Sequence, residues 1–487
     1  MSNGQRRRVL LTGATGNWGR ATLRELRDRD AVDVVAFAMP TNSDRGVLTE
    51  FSDMTNLTIA WGDLTSFADV QRAVAGVDVI LHVGAVVSPL ADLHPGLARL
   101  VNVGSMQNII RAVKALPDPS AVEVVGIGSI AETGDRQAPH HWGRVGDPIR
   151  VSQFDEYGQT KVIAEKLLIE SGLPKWAWLR QTGIFHPGML EIRDPIMTHS
   201  PFAGVFEWAS VEDSARLLAS IAEGSPDEFW HRIYNIGGGE GWRLTNWQLQ
   251  LAIGAATGVS DIRRWYDRNW FALGNFHGQW YTDSDDLESV VPFRNDTFDV
   301  ALGRAMDVLP ASVRSAGKVP AWIVKHLVMK PLANKPRGTM HAIRHNARDE
   351  IAAHYGSHEA WKAIGDWSSF VPPEPSRTPS FLNHGYDESK PSSSWNAADY
   401  AEAGAYRGGE LLSTDVSTGD IGTPLIWRCA FGHIFAASPR LVLTAGHWCP
   451  ECVRDSASYT AQAEHNPFLA QIDGPPVVSA QSPAVVR

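Results

Sequence analysis

Short apolar runs alternate with amphipathic stretches through the first third of the chain. Residues 7–12, Arg-Arg-Val-Leu-Leu-Thr, read as a short buried strand, and Gly13 to Gly19 as a turn. Residues 21–28 then read as a helix with Leu23 and Leu26 on one face. Further strands are predicted at 32–38, 57–60, 79–83, 122–127 and 176–180, with helical patterns between them at 67–74, 97–115 and 154–170. Strands alternating with helices predict an α/β fold, a Rossmann doubly wound parallel sheet.

From about Ile184 the alternation fades and Gly, Pro, His and Trp become frequent. The pattern predicts one domain over 1–325, with the regular alternation in 1–183 and a smaller portion over 184–325. A basic helical stretch and a Pro/Ser-rich linker follow over 326–404, then a cysteine-bearing module over 405–460 and a flexible tail over 461–487.

Composition narrows the class. Hydrophobic residues make up 44% and charged residues 20% of 487 positions, as in ordinary globular proteins. The net charge of −10 provides no global field for nucleic acid or anionic lipid and leaves room only for a local basic patch. No apolar run is long enough to span a bilayer, and Val9-Leu10-Leu11 is too short for a signal-peptide core, so the expected location is cytoplasmic.

Candidate chemistry begins in the first turn. Thr12-Gly13-Ala14-Thr15-Gly16-Asn17-Trp18-Gly19 joins strand to helix. Glycines there let the backbone approach a pyrophosphate, and the helix start offers it N–H groups. At the end of the second strand, where an acidic residue commonly holds the ribose hydroxyls, stands Ala38. No arginine directly follows, although Arg20 and Arg45 are within sequence reach, so NAD and NADP both stay open. Asp63 is read either as an adenine contact or as a cap for the helix after Ser66.

Tyr157 and Lys161 are four apart and face the same way on a helix. A phenol near pKa 10 is a poor base at neutral pH, and a neighbouring ammonium makes it a better one. Ser129, just after a predicted strand, is placed to bond a substrate oxygen. His140 and His141 follow that loop and are read as surface residues, as are His341 and His345.

These pieces together resemble the extended short-chain dehydrogenases/reductases of the NAD-dependent epimerase/dehydratase family. The resemblance rests on the glycine loop, Gly62-Asp63-Leu64, His82-Val83-Gly84-Ala85, Asn102-Val103-Gly104 with Asn108, Gly128-Ser129 with Gly134, Tyr157 to Lys161, Leu179-Arg180, and Phe185-His186-Pro187. Val211-Glu212-Asp213 and Tyr234 to Gly238 continue it, so that it spans residues 7–250. It implies Tyr157 as acid/base, Lys161 as the ribose-binding and pKa-tuning group, and Ser129 as the substrate-oxygen partner. It also implies a cofactor bed of Gly13, Thr15, Gly16, Asn17, Trp18, Gly19, Asp63, Leu64, Val83, Gly84, Ala85 and Asn102. Three positions depart from the family: Ala38, Gly84 where an alanine-like residue is common, and His186 where glycine usually precedes proline. The implied activity is hydride transfer between an alcohol or carbonyl substrate and nicotinamide. The alternatives are a sugar epimerase or dehydratase that recycles its cofactor internally and, in another class, a cofactor-sensing scaffold whose metal module binds a partner. A homodimer is a further family expectation.

All three cysteines lie near the C-terminus. Cys429 and His433 form one knuckle, and Cys449 and Cys452 another fifteen residues beyond His433. The spacing suits a structural Cys3His zinc site and resembles small zinc-ribbon modules. His447 is an alternative fourth ligand, and a redox pair of Cys449 and Cys452 is the competing reading.

Overall fold

The computed structural model describes residues 6–191 and 194–474. Seven strands make the main sheet: β1 (Arg7–Thr12), β2 (Val32–Ala38), β3 (Leu57–Trp61), β4 (Val79–His82), β5 (Glu123–Ser129), β6 (Trp176–Gln181) and β7 (Arg232–Ile236). Their spatial order is β3–β2–β1–β4–β5–β6–β7, and every pairing is parallel. The winding reverses between β1 and β4, where doubly wound sheets open a ligand crevice at the C-terminal strand ends.

Both faces are covered, which is why the strands are near-continuous apolar runs. Helices Asn17–Leu26 and Val211–Glu223 bury Leu23, Leu26, Leu217 and Leu218 against Val9, Leu11 and Leu81. Helices Phe67–Val74, Gly104–Lys114 and Glu156–Ile169 bury Val70, Ile109 and Leu168 against Leu10, Val35 and Ile80. Among the described residues no helix is long and apolar enough to cross a membrane.

Most of the tryptophans after Ile184 serve as core. Phe202, Trp247, Tyr266, Trp270 and Phe271 form one aromatic cluster, and Trp242 and Trp280 are buried elsewhere. His141 also departs from the surface reading. It is 1% exposed, packs edge-on against Trp280 at 5.1 Å and bonds the Ser376 carbonyl at 2.9 Å. Pairing of Trp142–Gly143 with Trp280–Tyr281 draws it inward, while His140 remains exposed.

The Pro/Ser-rich stretch 371–395 is largely irregular, yet it is pinned to the catalytic half. His384 is buried, bonds Asp147 at 2.9 Å, and its carbonyl accepts from the Arg407 guanidinium. Order also runs past residue 461. Helices Tyr459–Ala463 and Pro467–Ala470 bury Phe468 under the Arg407 guanidinium, 4.1 Å from the ring. The rest of the expected tail, 475–487, lies outside the described residues.

The cysteine-bearing segment forms a three-stranded antiparallel sheet, Glu410–Leu411, Leu425–Arg428 and Ile434–Ala437. Its Trp427, Phe435 and Leu441 belong to the same hydrophobic cluster as Leu168, Trp176 and Trp178 beneath the main sheet. A buried polar cluster joins the two parts. Arg180, 1% exposed on β6, donates twice to Glu165 at 2.6 and 3.0 Å and once to the Ala445 carbonyl at 2.8 Å. Glu132 lies 3.4 Å from the same guanidinium, and His447 reaches Glu165 at 3.1 Å.

Charge within this cluster is uneven. Burial opposes ionisation of Glu165, but the Arg180 charge outweighs it and holds Glu165 well below the carboxylate range. Burial and the adjacent Glu165 charge push Glu132 well above that range and so favour its neutral form. Replacing Glu165 by Leu strands a buried guanidinium and is expected to cost about 3–5 kcal/mol in urea unfolding. Glu132→Gln keeps a neutral acceptor there and should cost less than about 1 kcal/mol. Equal losses in the two variants would contradict this charge assignment.

Candidate active site and cysteine cluster

The glycine loop closes onto the end of β4. Gly13 has φ +67°, and a Cβ there would stand 2.7 Å from the Gly84 backbone. A Cβ on Gly19 would meet the Gly13 carbonyl at 2.1 Å. A Cβ on Gly84 would lie 2.7 Å from Leu64 Cδ1, which can swing away, and 3.1 Å from the Gly13 backbone N, a tight but not forbidding approach. The two strand ends are tied together by Thr12 Oγ1, which accepts from Gly84 N at 3.0 Å and meets His82 Nδ1 at 2.8 Å. Gly16 begins the helix Asn17–Leu26 with no side-chain cap, leaving the first N–H groups for a ligand.

Around this crevice the predicted residues take defined places. Asp63 is exposed and accepts from Thr65 N and Thr65 Oγ1, each at 2.8 Å; the cap of the following helix is Ser66 itself. Asn102 sits in a wide helical turn, Arg99–Val103. Its amide brackets both backbone groups of Val86 and donates to Thr160 Oγ1 at 2.9 Å, tying the loop after β4 to the helix bearing Tyr157. His186 Nε2 lies 3.5 Å from the Asn17 amide and so spans the crevice to the glycine loop.

Ser129, Tyr157 and Lys161 meet at the end of β5. Asp155 caps their helix, Glu156–Ile169, by accepting from Gly158 N at 2.7 Å. Ser129 is 6% exposed; its hydroxyl accepts from Ala131 N at 3.1 Å, and its own N–H donates to Glu132 at 2.7 Å. Lys161 is 4% exposed, donates to the Ile127 carbonyl at 2.7 Å, and lies 5.7 Å from the Tyr157 ring centre. Burial pushes Lys161 down to about 8, with Glu132 opposing. Burial pushes the Tyr157 phenol well above its usual value, and a hydrogen bond with Ser129 partly offsets this.

Two cavities open near the first turn of that helix. One of about 370 Å³ is bounded by Ser88, Ser152–Asp155, His199, His277 and Arg337. The other, of about 680 Å³, lies between the loop from Asp135 to His140 and the C-terminal residues 456–474.

Cys429, His433, Cys449 and Cys452 converge, their ligand atoms all within 4.8 Å of one another. His433 Nδ1 lies 3.5, 3.4 and 3.5 Å from the sulfurs of Cys429, Cys449 and Cys452. The sulfurs of Cys429 and Cys452 are 3.8 Å apart. Gly432, at φ +81°, makes the turn that brings His433 back to Cys429. His447 is not in the group, because its imidazole is engaged with Glu165.

Three residues of this region escape a reading by motif: Asp44, Glu132 and Glu165. Asp44 lies six residues beyond the end of β2, yet it accepts from Thr15 in the glycine loop at 2.6 Å. The signal for Glu165 is its four-residue spacing from Lys161 on one helix.

Comparison with known proteins follows this geometry. Residues 9–173 match the NAD dependent epimerase/dehydratase family. The 3 beta-hydroxysteroid dehydrogenase type 7 of Mus musculus is 28% identical over 200 residues, covering 38% of this chain and 52% of that protein. The Homo sapiens protein of the same name is 30% identical over 151 residues, 28% of this chain and 39% of that protein. The chain thus spans about half the length, or less, of these curated relatives. Among solved structures, the dTDP-glucose 4,6-dehydratase DesIV of Streptomyces venezuelae overlies 65% of this chain and 98% of its own, at 21% identity and a TM-score of 0.49. The similarity to the NAD dependent epimerase/dehydratase family thus lies in residues 9–173, the part that holds the glycine loop, Ser129, Tyr157 and Lys161.

Proposed function

We propose that the chain is an NAD-dependent oxidoreductase acting on a small alcohol or carbonyl compound, with Ser129, Tyr157 and Lys161 as its catalytic groups. One observation carries the reading. Lys161 is buried with the Ile127 carbonyl as its one hydrogen-bond acceptor among the described residues. A buried ammonium so sparsely bonded is costly, and ribose hydroxyls in the adjoining crevice would complete its shell. The glycine cradle and the uncapped helix start fit the pyrophosphate of the same ligand.

When bound, the dinucleotide supplies or accepts the hydride. The protein's share is proton handling. Tyr157 holds its proton at neutral pH and donates it to the substrate carbonyl oxygen as reduction proceeds. Ser129 bonds that oxygen, and the Lys161 charge stabilises the phenolate left behind. In the oxidising direction Tyr157 must first lose its proton, which the same charge assists. Asp44 beside Thr15 disfavours a 2′-phosphate, and Arg20 is engaged by Glu50 at 2.9 Å, so NAD is preferred over NADP.

The cysteine cluster is assigned to zinc in a structural role. Tetrahedral zinc with bonds of about 2.3 Å to sulfur and about 2.0–2.1 Å to nitrogen sets edges of about 3.8 Å between sulfurs and about 3.5 Å from sulfur to nitrogen. The observed separations, 3.8 Å and 3.4–3.5 Å, fit those edges. Four protein ligands leave no open position for substrate.

Tyr157→Phe is expected to lower kcat by about 10²–10⁴-fold while the NADH dissociation constant stays unchanged. Turnover close to wild type would sink the mechanism.

Lys161 also predicts a pH effect. Below about pH 8 the lysine is charged in the folded chain and carries its full burial penalty. Between about 8 and its ordinary value near 10.5, the folded chain gives up the proton before the unfolded chain does. Stability of the cofactor-free protein should therefore gain a component as pH rises through that window. Lys161→Met should lack it, as read by the difference between the two proteins' urea curves at each pH.

Metal analysis should find one zinc per chain, and Cys449→Ser should lose it. Stripping the metal should lower the thermal midpoint and change the near-ultraviolet signal of Trp427 and Trp448, whose rings are 5.7 Å apart.

A further inference from the structure

Charge and apolar exposure coincide on one surface segment. Residues 308–348 contain eight Lys or Arg and no Asp or Glu, in a chain whose net charge is −10. Two of these cations are paired, Lys325 with Asp267 and Arg337 with Asp92. Lys318, Lys330 and Lys335 are exposed, and no ion pair engages them among the described residues.

Within this run, Ala321–Ile323, Val324–Met329 and Lys330–Ala333 are continuous helix, with a wide π turn in the middle. Its inner side is fixed: Val324, Met329 and Ala333 pack into the aromatic cluster with Phe202, Trp247 and Trp270. Its outer side shows Trp322 at 63% exposure, Leu327 at 67% and Val328 at 46%, with Val319 at 40% just before. The register change within the π turn helps to leave Leu327 and Val328 outside while Val324 and Met329 are buried. Large apolar side chains held out on a rigid face, among unpaired lysines, are a costly arrangement in water.

We infer that this face docks the protein on an anionic membrane surface, with Trp322, Leu327 and Val328 entering the headgroup region and Lys318, Lys330 and Lys335 facing acidic lipid. Each part of the segment matches that occupant. Indole rings settle at the headgroup level, and aliphatic side chains reach the acyl boundary. Each lysine near an anionic surface strengthens the attraction. A nucleic acid backbone would satisfy the lysines and give nothing to Leu327 or Val328. The helix is too short to cross a bilayer, so the attachment is peripheral.

The test is co-sedimentation of the full chain with vesicles of phosphatidylcholine alone and of phosphatidylcholine mixed with phosphatidylserine. Binding is expected to the mixed vesicles, to weaken with added salt, and to be slight with phosphatidylcholine alone. Trp322→Ala with Leu327→Ala should reduce partitioning by about tenfold or more, and Lys318→Glu with Lys330→Glu and Lys335→Glu should abolish it. These positions are exposed, and unchanged circular dichroism and NADH binding would show that the variants remain folded. No binding to mixed vesicles, equal binding to both kinds, or indifference to the Trp322 and Leu327 changes would each overturn the inference.

Discussion

A single buried guanidinium fixes the relation between the sheet, the helix Glu156–Ile169 and the cysteine-bearing segment. Arg180 leaves β6 under the main sheet and, at 1% exposure, has no access to water. Its charge must be met inside the protein. Glu165 meets it from the helix that carries Tyr157 and Lys161, and the Ala445 carbonyl meets it from the C-terminal segment. His447 then engages the far side of Glu165. Displacing any of these elements leaves a buried charge without its partner, so the cluster locks three distant stretches of chain into one arrangement.

Glu132 shows how this constraint reaches Ser129, Tyr157 and Lys161. Two carboxylates beside one guanidinium cannot both ionise cheaply, and Glu132 is the one pushed toward its neutral form. One of its oxygens accepts the Ser129 N–H, in a capping box that also orients the Ser129 hydroxyl toward Ala131 N. Negative charge on Glu132 raises both the Tyr157 phenol and the Lys161 ammonium, so the carboxyl that orders the serine loop also bears on the tyrosine–lysine pair proposed for the site. The cysteine cluster braces the same point from outside. Cys449 lies two residues beyond His447, and Cys429, Cys449 and Cys452 belong to the hydrophobic cluster that also holds Leu168 and Trp178. The cysteine cluster and the helix that bears Tyr157 and Lys161 therefore share one core.

Legibility in the sequence follows the range of the interaction. The parallel sheet was readable because buried strands and amphipathic helices write their periods into consecutive residues. The same holds for the glycine loop, for Tyr157 with Lys161, and for the four residues of the cysteine cluster, where local spacing carries the signal. His141 and His447 were ambiguous for the opposite reason. The first is drawn inward by Trp280 and Ser376, and the second is engaged by Glu165, partners 139, 235 and 282 positions away. Asp44 shows an intermediate case: helix Asn42–Leu48 folds back, so that an acidic residue outside the expected position still reaches Thr15.

Range also decides what composition can say. The Pro/Ser-rich stretch around His384 reads as a linker because its own residues lack a period, yet its order is imposed from outside it, by Arg407 at 23 positions and Asp147 at 237 positions from His384. Conversely, the acid-free run from 308 to 348 is visible in sequence as charge, but its exposed Trp322 and Leu327 are not, because only packing of Val324 and Met329 against Phe202 and Trp270 determines which side of the helix turns outward. A sequence states which groups are available, and the distant partner determines whether each becomes core, site or surface. In this chain Arg180 makes that choice for the catalytic crevice, and the aromatic cluster around Phe202 makes it for the basic face.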